Sequence, residues 1–304
     1  MTDDRPPICD YEGSDYQQAF WEQGGRAYED RAEAIALKRL LPPQGKLLLE
    51  LGAGAGRNTN RYANFERIVL LDYSLTQLQQ AQSRLGRSKR YVYVAADIYR
   101  MPFVNGLFDA ATMIRVLHHM ADAPLALSQI RQTLRPDACF ILEFANKKNL
   151  KAVLRYLFKR QSWNPFSPEP VEFVPLNFDF HPKTVRGWLR ELDFEIERQL
   201  TVSHFRVGLL KRLFPVSFLV WLDALAQQTG DWWQFTPSVF VKLRAGAGVT
   251  ARPEQFFRCA DCGYIEMETR PEGLYCPACD HLWHIRDGIY DFRERGTRNA
   301  AAQD

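Results

Sequence analysis

The sequence lacks any long apolar run and any strong imbalance of charge. Its longest uncharged apolar run, Leu213 to Leu222, is well short of the roughly 20 residues that span a bilayer. The chain opens on Met-Thr-Asp-Asp-Arg with no apolar stretch behind it, so we expect no signal peptide, no transmembrane segment and a cytoplasmic location. The net charge of +3 is too small to indicate a nucleic-acid partner by itself.

Cysteine is also scarce, but four of the six cysteines are closely spaced. Cys259 and Cys262 form one C-x-x-C pair, and Cys276 and Cys279 form a second pair after thirteen intervening residues. Two such pairs converge on one tetrahedral ion, and a closed four-thiolate shell leaves no open position for catalysis. Disulfides are disfavoured without a secretion signal. The spacing therefore predicts a structural zinc site held by these four cysteines.

The remaining composition fits an enzyme with a small appendage. Hydrophobic residues make up 46% of the 304 residues, which is enough for a sizeable core and excludes wholesale disorder. A chain of this length also exceeds one average domain. We therefore expect one large domain and one small domain.

The most informative segment is 47–56, which reads Leu-Leu-Leu-Glu-Leu-Gly-Ala-Gly-Ala-Gly. Its leucines predict a buried strand, and its glycines let the backbone approach a ligand where a Cβ would collide. The glycine spacing differs from the dinucleotide pattern G-x-G-x-x-G. Glu50 stands two residues before the first glycine, where its carboxylate would repel a pyrophosphate but suit a ligand that carries an ammonium.

Two further predicted strands also end in an acid. The apolar segment 66–72 ends in Asp72, 20 residues after Gly52, where a Rossmann-like sheet places the carboxylate that binds ribose hydroxyls. The segment 91–97 ends in Asp97. A single strand-end Asp is more often a helix cap, but acids at three successive strand ends favour a ligand site. Strands and helices continue to alternate, which predicts a parallel sheet with helices on both faces.

These motifs, together with Asp72-Tyr-Ser74, Ala96-Asp97-Ile98 and Leu134-Arg-Pro136, resemble those of class I S-adenosylmethionine (SAM)-dependent methyltransferases of the type 11 group. The resemblance covers roughly residues 20 to 245. It implies a Rossmann-like α/β fold with a seven-stranded, mostly parallel sheet. The family usually has two glycines after Leu-Arg-Pro, whereas this chain has Asp137-Ala138, so we expect a changed turn there without loss of cofactor binding.

The resemblance also implies SAM as cofactor and assigns parts of it to single residues. Glu50 and the glycines would face the methionine part, Asp72 the ribose, and Asp97 with Ile98 the adenine. The glycines concerned are Gly52, Gly54 and Gly56.

Three other residues are candidates for the cofactor site. Arg57 and Arg115 could each serve the cofactor carboxylate or pair with a neighbouring acid. A helix that starts near Trp21 is expected to lie over the cofactor, and Tyr28 is its candidate contact.

The predicted fourth strand leads into Arg115-Val-Leu-His118-His119. Adenine- and glutamine-modifying relatives carry Asn/Asp-Pro-Pro-Tyr/Phe here and cytosine C5 enzymes carry Pro-Cys, so neither chemistry is favoured. Methyl transfer requires alignment of the acceptor and, for some acceptors, removal of a proton. His118 or His119 is a candidate general base for an oxygen or carbon acceptor. The alternative is that one packs beneath the strand end and the other caps a helix.

The segment 282–292 follows the last cysteine pair and contains Ile-Arg-Asp-Gly-Ile. With the cysteines it resembles the small zinc-ribbon protein that partners and activates tRNA, rRNA and release-factor methyltransferases. The match covers only residues 256–293, and the ribbon is fused behind the enzyme. It implies either a built-in stabilising module or a module that binds a partner or RNA. We expect loss of zinc to unfold the ribbon and leave SAM binding largely intact.

The patterns divide the chain into an N-terminal helical cap (1–45), a SAM-binding domain (46–245), a linker (246–255), a zinc ribbon (256–293) and a tail (294–304). The part 146–236 is predicted to include an acceptor lid. Within it, 147–160 has six basic residues, no acid and apolar residues at helical spacing. This segment is either a solvated amphipathic helix or a lid over a hydrophobic pocket that makes peripheral contact with a membrane or binds a phosphate.

The main hypothesis is a SAM-dependent methyltransferase with an unidentified acceptor, for which a small or lipid-like molecule is favoured. An RNA or protein acceptor is the alternative, with the ribbon as activator or recognition module. A SAM-binding interaction protein without turnover is the third hypothesis. An open basic groove would favour RNA, and a closed aromatic-lined pocket would favour a small acceptor.

Overall fold

The structure, a computed structural model, describes residues 6–13 and 25–293 of the chain. The first described helix, α1, begins at Ala27, and the start expected near Trp21 lies outside the described residues. The expected tail 294–304 also lies outside them.

The described elements alternate as the pattern predicts. The helices are α1 (Ala27–Leu40), α2 (Leu75–Leu85), α3 (Ala123–Thr133), α4 (Leu150–Leu157), α5 (Pro182–Glu191), α6 (Gly208–Leu213) and α7 (Val216–Ala226). The strands are β1 (Gly45–Leu51), β2 (Phe65–Asp72), β3 (Tyr91–Ala95), β4 (Phe108–Met113), β5 (Leu134–Ala145), β6 (Val171–Val174), β7 (Asn177–Asp179), β8 (Phe194–Val202), β9 (Ser238–Ala245), β10 (Glu268–Arg270), β11 (Gly273–Cys276), β12 (His281–Arg286) and β13 (Ile289–Asp291).

Seven strands form the predicted α/β sheet in the order β3-β2-β1-β4-β5-β9-β8. Strands β1 to β5 pair in parallel, and β9 runs antiparallel between β5 and β8. The carboxyl ends of β1, β2, β3 and β4 therefore share one edge of the sheet, which is where ligands bind in open α/β sheets. The predicted seven-stranded, mostly parallel sheet is confirmed.

Helices cover both faces of this sheet. Apolar side chains of α1 and α2, such as Leu37 and Leu78, pack in one core, while α3 and α5 contribute Ile130 and Leu189 to the other. Both cores are fully buried, which explains why Leu48 and Leu49 are consecutive apolar residues in β1. None of the described helices combines the length and apolar character that crossing a membrane requires.

The C-terminal ribbon extends the sheet. Strands β10, β11, β12 and β13 pair antiparallel with one another, and β13 pairs in parallel with β3, which makes a sheet of eleven strands. Trp283 and Phe292 of the ribbon are buried in the same core as the α3 and α5 face. The ribbon and the larger domain therefore share strand pairing and apolar packing.

The expected linker 246–255 lies against the larger domain. Gly246 N–H donates to the Asp193 carbonyl at 2.8 Å, and Ala251 N–H donates to the Gly106 carbonyl at 3.0 Å. A Cβ on Gly106 would stand 2.0 Å from the Val249 carbonyl oxygen, so the two segments are in close contact. Backbone hydrogen bonds thus tie the segment to the larger domain at two points, while most of its residues are exposed.

Asp137, where the chain differs from the family pattern, lies within β5 at an irregularity in its pairing with β4, and not in a turn before the strand as expected. Asp137 has φ 60°, in the left-handed region that glycine enters most easily and that Asp tolerates better than most residues. Its carboxylate accepts a 3.0 Å hydrogen bond from Arg244. The aspartate therefore occupies a conformation for which the family uses glycine.

Candidate functional site

The candidate site is a cavity at the carboxyl edge of the sheet, between the ends of β1, β2, β3 and β4. The predicted cofactor residues that line it are Glu50, Gly52, Gly54, Arg57, Asp72, Ile98 and Arg115, joined by His119 from the histidine pair. The N-terminal segment closes one side with Ile8, Cys9 and Tyr11. Sequence reasoning missed this last contribution because nothing in the pattern places an irregular segment over the cavity.

The glycine turn places its backbone next to the cavity. Gly52 has φ 60°, and a Cβ there would stand 2.3 Å from Val116 Cγ2, so no side chain fits. Gly54 has φ 52°, and the nearest atom to an added Cβ would be Gln77 Oε1 at 3.7 Å. The space beside Gly54 is therefore open to a ligand, whereas Gly52 is required by packing.

Glu50 is buried beneath the turn. Its carboxylate accepts a 2.6 Å hydrogen bond from Thr59 Oγ1. Burial raises the pKa of Glu50 to about 8, although the Thr59 hydrogen bond and the charge of Arg57 oppose that rise. A cation placed in the cavity would favour the ionised carboxylate, so this site is suited to a ligand ammonium.

Asp72 links the end of β2 to the glycine turn. Its Oδ2 accepts from Gly54 N–H at 2.8 Å, and its Oδ1 accepts from Ser74 N–H at 2.9 Å. Burial raises the pKa of Asp72 despite these two bonds. Each carboxylate oxygen has a second lone pair, so the group can accept further hydrogen bonds from a ligand diol.

The third strand-end acid sits behind the cavity wall. Asp97 Oδ1 accepts from Tyr99 N–H at 2.8 Å and so caps a short 3-10 helix, the alternative role of a strand-end Asp. Its Oδ2 lies 3.8 Å from Arg100 Nε. Ala96 and Ile98, on either side of Asp97, line the cavity instead.

Arg57 and Arg115 meet on one buried acid of α1. Glu33 Oε2 lies 2.9 Å from the Arg57 guanidinium, and Glu33 Oε1 accepts from Arg115 Nε at 2.5 Å. Burial would raise the pKa of Glu33, but the two guanidinium groups lower it below its ordinary value. Both arginines line the cavity while they pair with this acid, so pairing does not remove them from the site.

Sequence reasoning missed Glu33, although α1 offered a signal. The helix buries Ala32, Ala36 and Leu37 on the same side as Glu33 and Glu29. Acids at i and i+4 on an apolar helix face need cationic partners from another element. Glu29 finds one in Lys211, whose Nζ lies 2.5 Å from Glu29 Oε1.

The histidine pair lies beside the cavity with its rings 4.0 Å apart. His119 Nδ1 lies 3.0 Å from the Leu176 carbonyl and its Nε2 lies 3.2 Å from the Tyr11 hydroxyl, which fits a neutral ring that donates from Nδ1. Burial lowers the pKa of His119. Burial and the neighbouring charges of His119 and Arg115 lower the pKa of His118 well below its ordinary value. Both rings are therefore neutral near pH 7.

Tyr28 does not lie in the cofactor cavity, although the sequence led us to expect a contact with the cofactor. Its hydroxyl donates to Asp223 Oδ2 at 2.5 Å and accepts from Phe205 N–H at 2.9 Å. It packs against Leu219 of α7 and is absent from the residues that line the cofactor cavity. In the described structure Tyr28 thus joins α1 to α7.

A second, larger cavity opens at the same edge of the sheet. It is lined by α4, by the end of β8 and by the segment that leads into β9, including Leu154, Phe158, Trp233 and Phe235. Arg206 also lines it and is close enough to His118 and Arg115 to affect the pKa of His118 and to have its own pKa lowered. Arg206 therefore links the wall of the larger cavity to Arg115, which lines the cofactor cavity.

The four ribbon cysteines form a compact cluster. Their sulfurs all lie within 4.8 Å of one another, with Cys259 and Cys279 at 3.6 Å and Cys262 and Cys276 at 3.5 Å. These separations exceed a disulfide bond, about 2.05 Å, and approach the edge of a tetrahedron with Zn–S bonds of about 2.3 Å. Trp283 Nε1 donates to Cys259 Sγ at 3.3 Å. The geometry therefore fits a tetrahedral metal ion.

The ribbon also contacts the segments that border the cofactor cavity. Arg293 lies 3.4 Å from the carbonyl of Tyr73, which follows Asp72, and Arg100 lies 3.2 Å from Asp261. Phe257 pairs with Phe103 in an isolated bridge and stacks on its ring. The ribbon thus supports the strand ends that sequence reasoning assigned to ribose and adenine.

Comparison with known proteins agrees with this architecture. Residues 49–142 match the model of the methyltransferase domain family. An O-methyltransferase of Penicillium expansum is 29% identical over 147 residues, which is 44% of this chain and 52% of that protein. The chain spans about half or less of the length of the first curated relatives that it matches.

Two solved structures share the fold. A complex of the Haloferax volcanii Trm112 methyltransferase activator with a methyltransferase matches with a TM-score of 0.54 and 15% identity, over 76% of this chain and 96% of that chain. An S-adenosylmethionine-dependent methyltransferase from Listeria monocytogenes matches with a TM-score of 0.53 and 16% identity, over 72% and 98%. At these identities the likeness establishes the class I methyltransferase fold.

Proposed function

We propose that this chain, which carries a methyltransferase domain with the class I fold, transfers a methyl group from SAM to a small or lipid-like acceptor. The observation that carries the proposal is the cavity in which Glu50, the open side of Gly54 and Asp72 converge. These groups offer a buried carboxylate for an ammonium, room for a close backbone approach and a second carboxylate for a diol. An amino acid joined to a ribose, as in SAM, presents the matching groups.

The placement of SAM follows from these residues. Glu50 would hold the ammonium of the methionine part, with Arg115 or Arg57 available to its carboxylate. Asp72 would accept hydrogen bonds from the ribose hydroxyls, and Ile98 would pack against the adenine. Gly56 and Asp97 do not border the cavity directly, and we include them as residues that position the backbone around it.

When bound, SAM supplies a methyl group activated on a sulfonium, and the residues of the chain have to align the acceptor and remove its proton. We propose His119 as the base for a hydroxyl acceptor, because it lines the cavity and its Nδ1 faces the Leu176 carbonyl. His119 Nε2 would take the hydroxyl proton as the acceptor oxygen receives the methyl group and the sulfur leaves. Tyr11 would give up its hydrogen bond to that nitrogen. His118 remains the second candidate.

The apolar acceptor is supported by the larger cavity. Its walls carry Leu150, Leu154, Phe158, Trp233 and Phe235, which offer contact area to a hydrocarbon or a fused ring. The charged side chains of this wall, Lys151, Arg155, Arg160 and Arg206, are all basic and would also suit the phosphates of RNA. The apolar and aromatic side chains are therefore what favours a small or lipid-like acceptor. The exposed basic side chains of α4 also support peripheral contact of segment 147–160 with a membrane.

We further propose that the ribbon binds one structural zinc ion and acts as a built-in support for the catalytic domain. Cys259, Cys262, Cys276 and Cys279 would hold the ion in a closed shell. The activator in the Haloferax complex is a separate chain, whereas here the ribbon follows the enzyme within one chain. The pairing of β13 with β3 supports this role over that of an independent module. A methylated RNA or protein remains the second candidate, supported by the ribbon resemblance.

The test is incubation of the purified protein with methyl-labelled SAM and separate pools of lipid extract, polar metabolites, RNA and protein. We expect label in the lipid or small-molecule pool, and much less label with the Asp72→Ala variant when SAM is subsaturating. Label confined to RNA or protein would overturn the acceptor assignment. If S-adenosylhomocysteine binds but no pool is labelled, the protein is a SAM-binding interaction protein. Absence of S-adenosylhomocysteine binding would overturn the proposed function as a whole.

A further inference from the structure

An extended apolar surface surrounds the mouth of the larger cavity. Its residues come from α4, α6, α7 and the segment 232–235, and all are exposed. They are Leu150, Leu154, Leu157, Phe158, Leu209, Leu213, Phe214, Phe218, Trp221, Leu225, Trp232, Trp233 and Phe235. Trp232 is 80% exposed and Phe158 is 70% exposed, so most of each residue faces solvent. Contiguous apolar patches of this kind mark interaction sites. We call this set of residues the docking face.

Contacts show that these elements form one surface. Leu150 N–H donates to the Phe235 carbonyl at 2.7 Å, which joins α4 to the tryptophan segment. Phe214, Phe218 and Trp221 follow at helical spacing, with ring centroids 5.7 and 6.1 Å apart. Side chains of α4 and of the segment around Trp233 line the same cavity. Gly208, at the start of α6, and Ala226, at the end of α7, also line this cavity, so the four elements border one opening.

Basic side chains dominate the charge around this surface, and Asp231, next to Trp232, is the exposed acid within residues 223–235. Neither 147–160 nor 198–222 contains an Asp or Glu. Lys151, Arg155, Lys159, Arg160 and Arg212 are exposed, and none of them forms a salt bridge within the described residues. Lys211 of the same region is neutralised by Glu29, so the five cations are left to an outside partner. Aromatic and leucine side chains fringed by unpaired cations match the composition of surfaces that insert into anionic membranes.

We propose that the docking face binds the surface of an anionic lipid bilayer. Leu157, Phe158, Leu213, Trp221 and Trp232 enter the boundary between headgroups and acyl chains, and the cations meet lipid phosphates. Tryptophan is favoured at this depth because its ring is apolar while its N–H remains hydrated. A protein partner would need acidic groups arranged around an apolar ridge, whereas a bilayer offers both features without a specific shape.

The position of the larger cavity links membrane binding to methyl transfer, and this link rests on the proposed function. Leu154, Phe158 and Trp233 belong both to the docking face and to the cavity wall. The cavity therefore opens where the bilayer would lie, at the carboxyl edge of the sheet near His118. An apolar acceptor dissolved in the membrane would reach the methyl donor without crossing water.

The experiment measures flotation of the full chain with vesicles, in the absence of SAM and of any acceptor. We expect binding to vesicles of phosphatidylcholine with phosphatidylglycerol, much weaker binding to pure phosphatidylcholine, and a blue shift of tryptophan fluorescence. The pair Leu213→Glu and Trp221→Glu should lower binding by roughly tenfold or more, since it adds two anions to the inserted surface. Ile265→Glu is the matched control, because Ile265 is an exposed apolar residue in the ribbon at the opposite end of the sheet.

Affinity for S-adenosylhomocysteine serves as the folding check for every variant. Failure of the wild-type chain to bind anionic vesicles would overturn the proposal, even if methyl transfer is observed. Self-association of the wild-type chain that disappears in the paired variant would also overturn it, because a second copy would then cover the face. Vesicle binding without methyl transfer would leave the docking proposal standing and sink the proposed function alone.

Discussion

The backbone N–H of Phe292 donates a 2.7 Å hydrogen bond to the carbonyl of Ala95. Phe292 belongs to the ribbon, and Ala95 ends the strand that leads to Ala96 and Ile98 in the cofactor cavity. The ribbon is therefore joined through one strand pair to the strand that leads into the wall of the cofactor cavity. Because of this contact we now predict that metal loss weakens SAM binding, whereas the sequence alone led us to expect that it would leave SAM binding largely intact.

The first prediction concerns the metal. The purified protein should contain about one zinc per chain, and Cys276→Ser should lose it. Because the ribbon has too little apolar burial to stay folded alone, β13 should detach from β3, and affinity for S-adenosylhomocysteine should fall about tenfold or more. Elemental analysis and calorimetry measure the two effects. Cys139→Ser, a change to a half-buried cysteine of β5, is the control and should retain zinc. Full cofactor affinity in zinc-free Cys276→Ser would show that the ribbon is independent.

The second prediction concerns Asp72. Asp72→Ala should weaken S-adenosylhomocysteine binding by roughly 1 to 3 kcal/mol, because the ribose diol loses a charged hydrogen-bond acceptor and the turn loses its bond from Gly54. Calorimetry measures the change. Glu254→Ala removes an exposed acid in the linker and should leave the affinity unchanged. Equal affinities for wild type and Asp72→Ala would mean that the ribose lies elsewhere.

The sequence predicted the parts of the site whose residues lie close together in the chain. The glycine turn from 52 to 56, Glu50 and Asp72 are positioned by the strands that they end, and apolar runs identify those strands. The position of each of these residues in the fold could therefore be predicted from its neighbours in the sequence. The same reasoning found the four cysteines, since two knuckles of fixed spacing can close on one ion.

The parts that the sequence did not predict depend on contacts between distant segments. Strand β13 has only three residues, Ile289–Asp291, and no periodic pattern indicates that it would pair with β3. Tyr28 is recognisable as a buried aromatic of α1, but its partner Asp223 lies far along the chain. Such pairings follow from how whole elements pack, so a local pattern cannot identify the partner.

The third prediction concerns Glu33. Glu33→Gln should destabilise the protein by about 3 kcal/mol at neutral pH, because Arg57 and Arg115 lose the buried anion that both contact. The lowered pKa of Glu33 means that its stabilising effect is present above its ordinary pKa and is lost as the pH falls through the lower, folded-state value. Urea unfolding at pH 7 and at pH 4 measures this. Glu191→Gln, at an exposed acid of α5, is the control. An unchanged free energy of unfolding at pH 7 for Glu33→Gln would contradict the buried pairing.

The fourth prediction concerns the proton on Glu50. Burial raises its pKa to about 8, so the free protein holds this carboxyl mainly protonated at pH 7. Since the folded state binds the extra proton, the contribution of Glu50 to stability falls as the pH rises from the ordinary glutamate value to about 8. The ammonium of S-adenosylhomocysteine favours the ionised form, so binding should release a proton, and affinity should increase with pH until about 8.

Calorimetry in buffers of different ionisation enthalpy at pH 7 counts the proton released by Glu50. Glu50→Gln should bind S-adenosylhomocysteine more weakly and without this proton release, since an amide cannot titrate. Methylthioadenosine, which lacks the amino-acid part, is the matched ligand control and should bind wild type without proton release from this site. Equal proton release with both ligands would mean that Glu50 does not face the ammonium. Release by S-adenosylhomocysteine alone would place the methionine part at Glu50, because only that ligand brings a cation to the buried carboxyl.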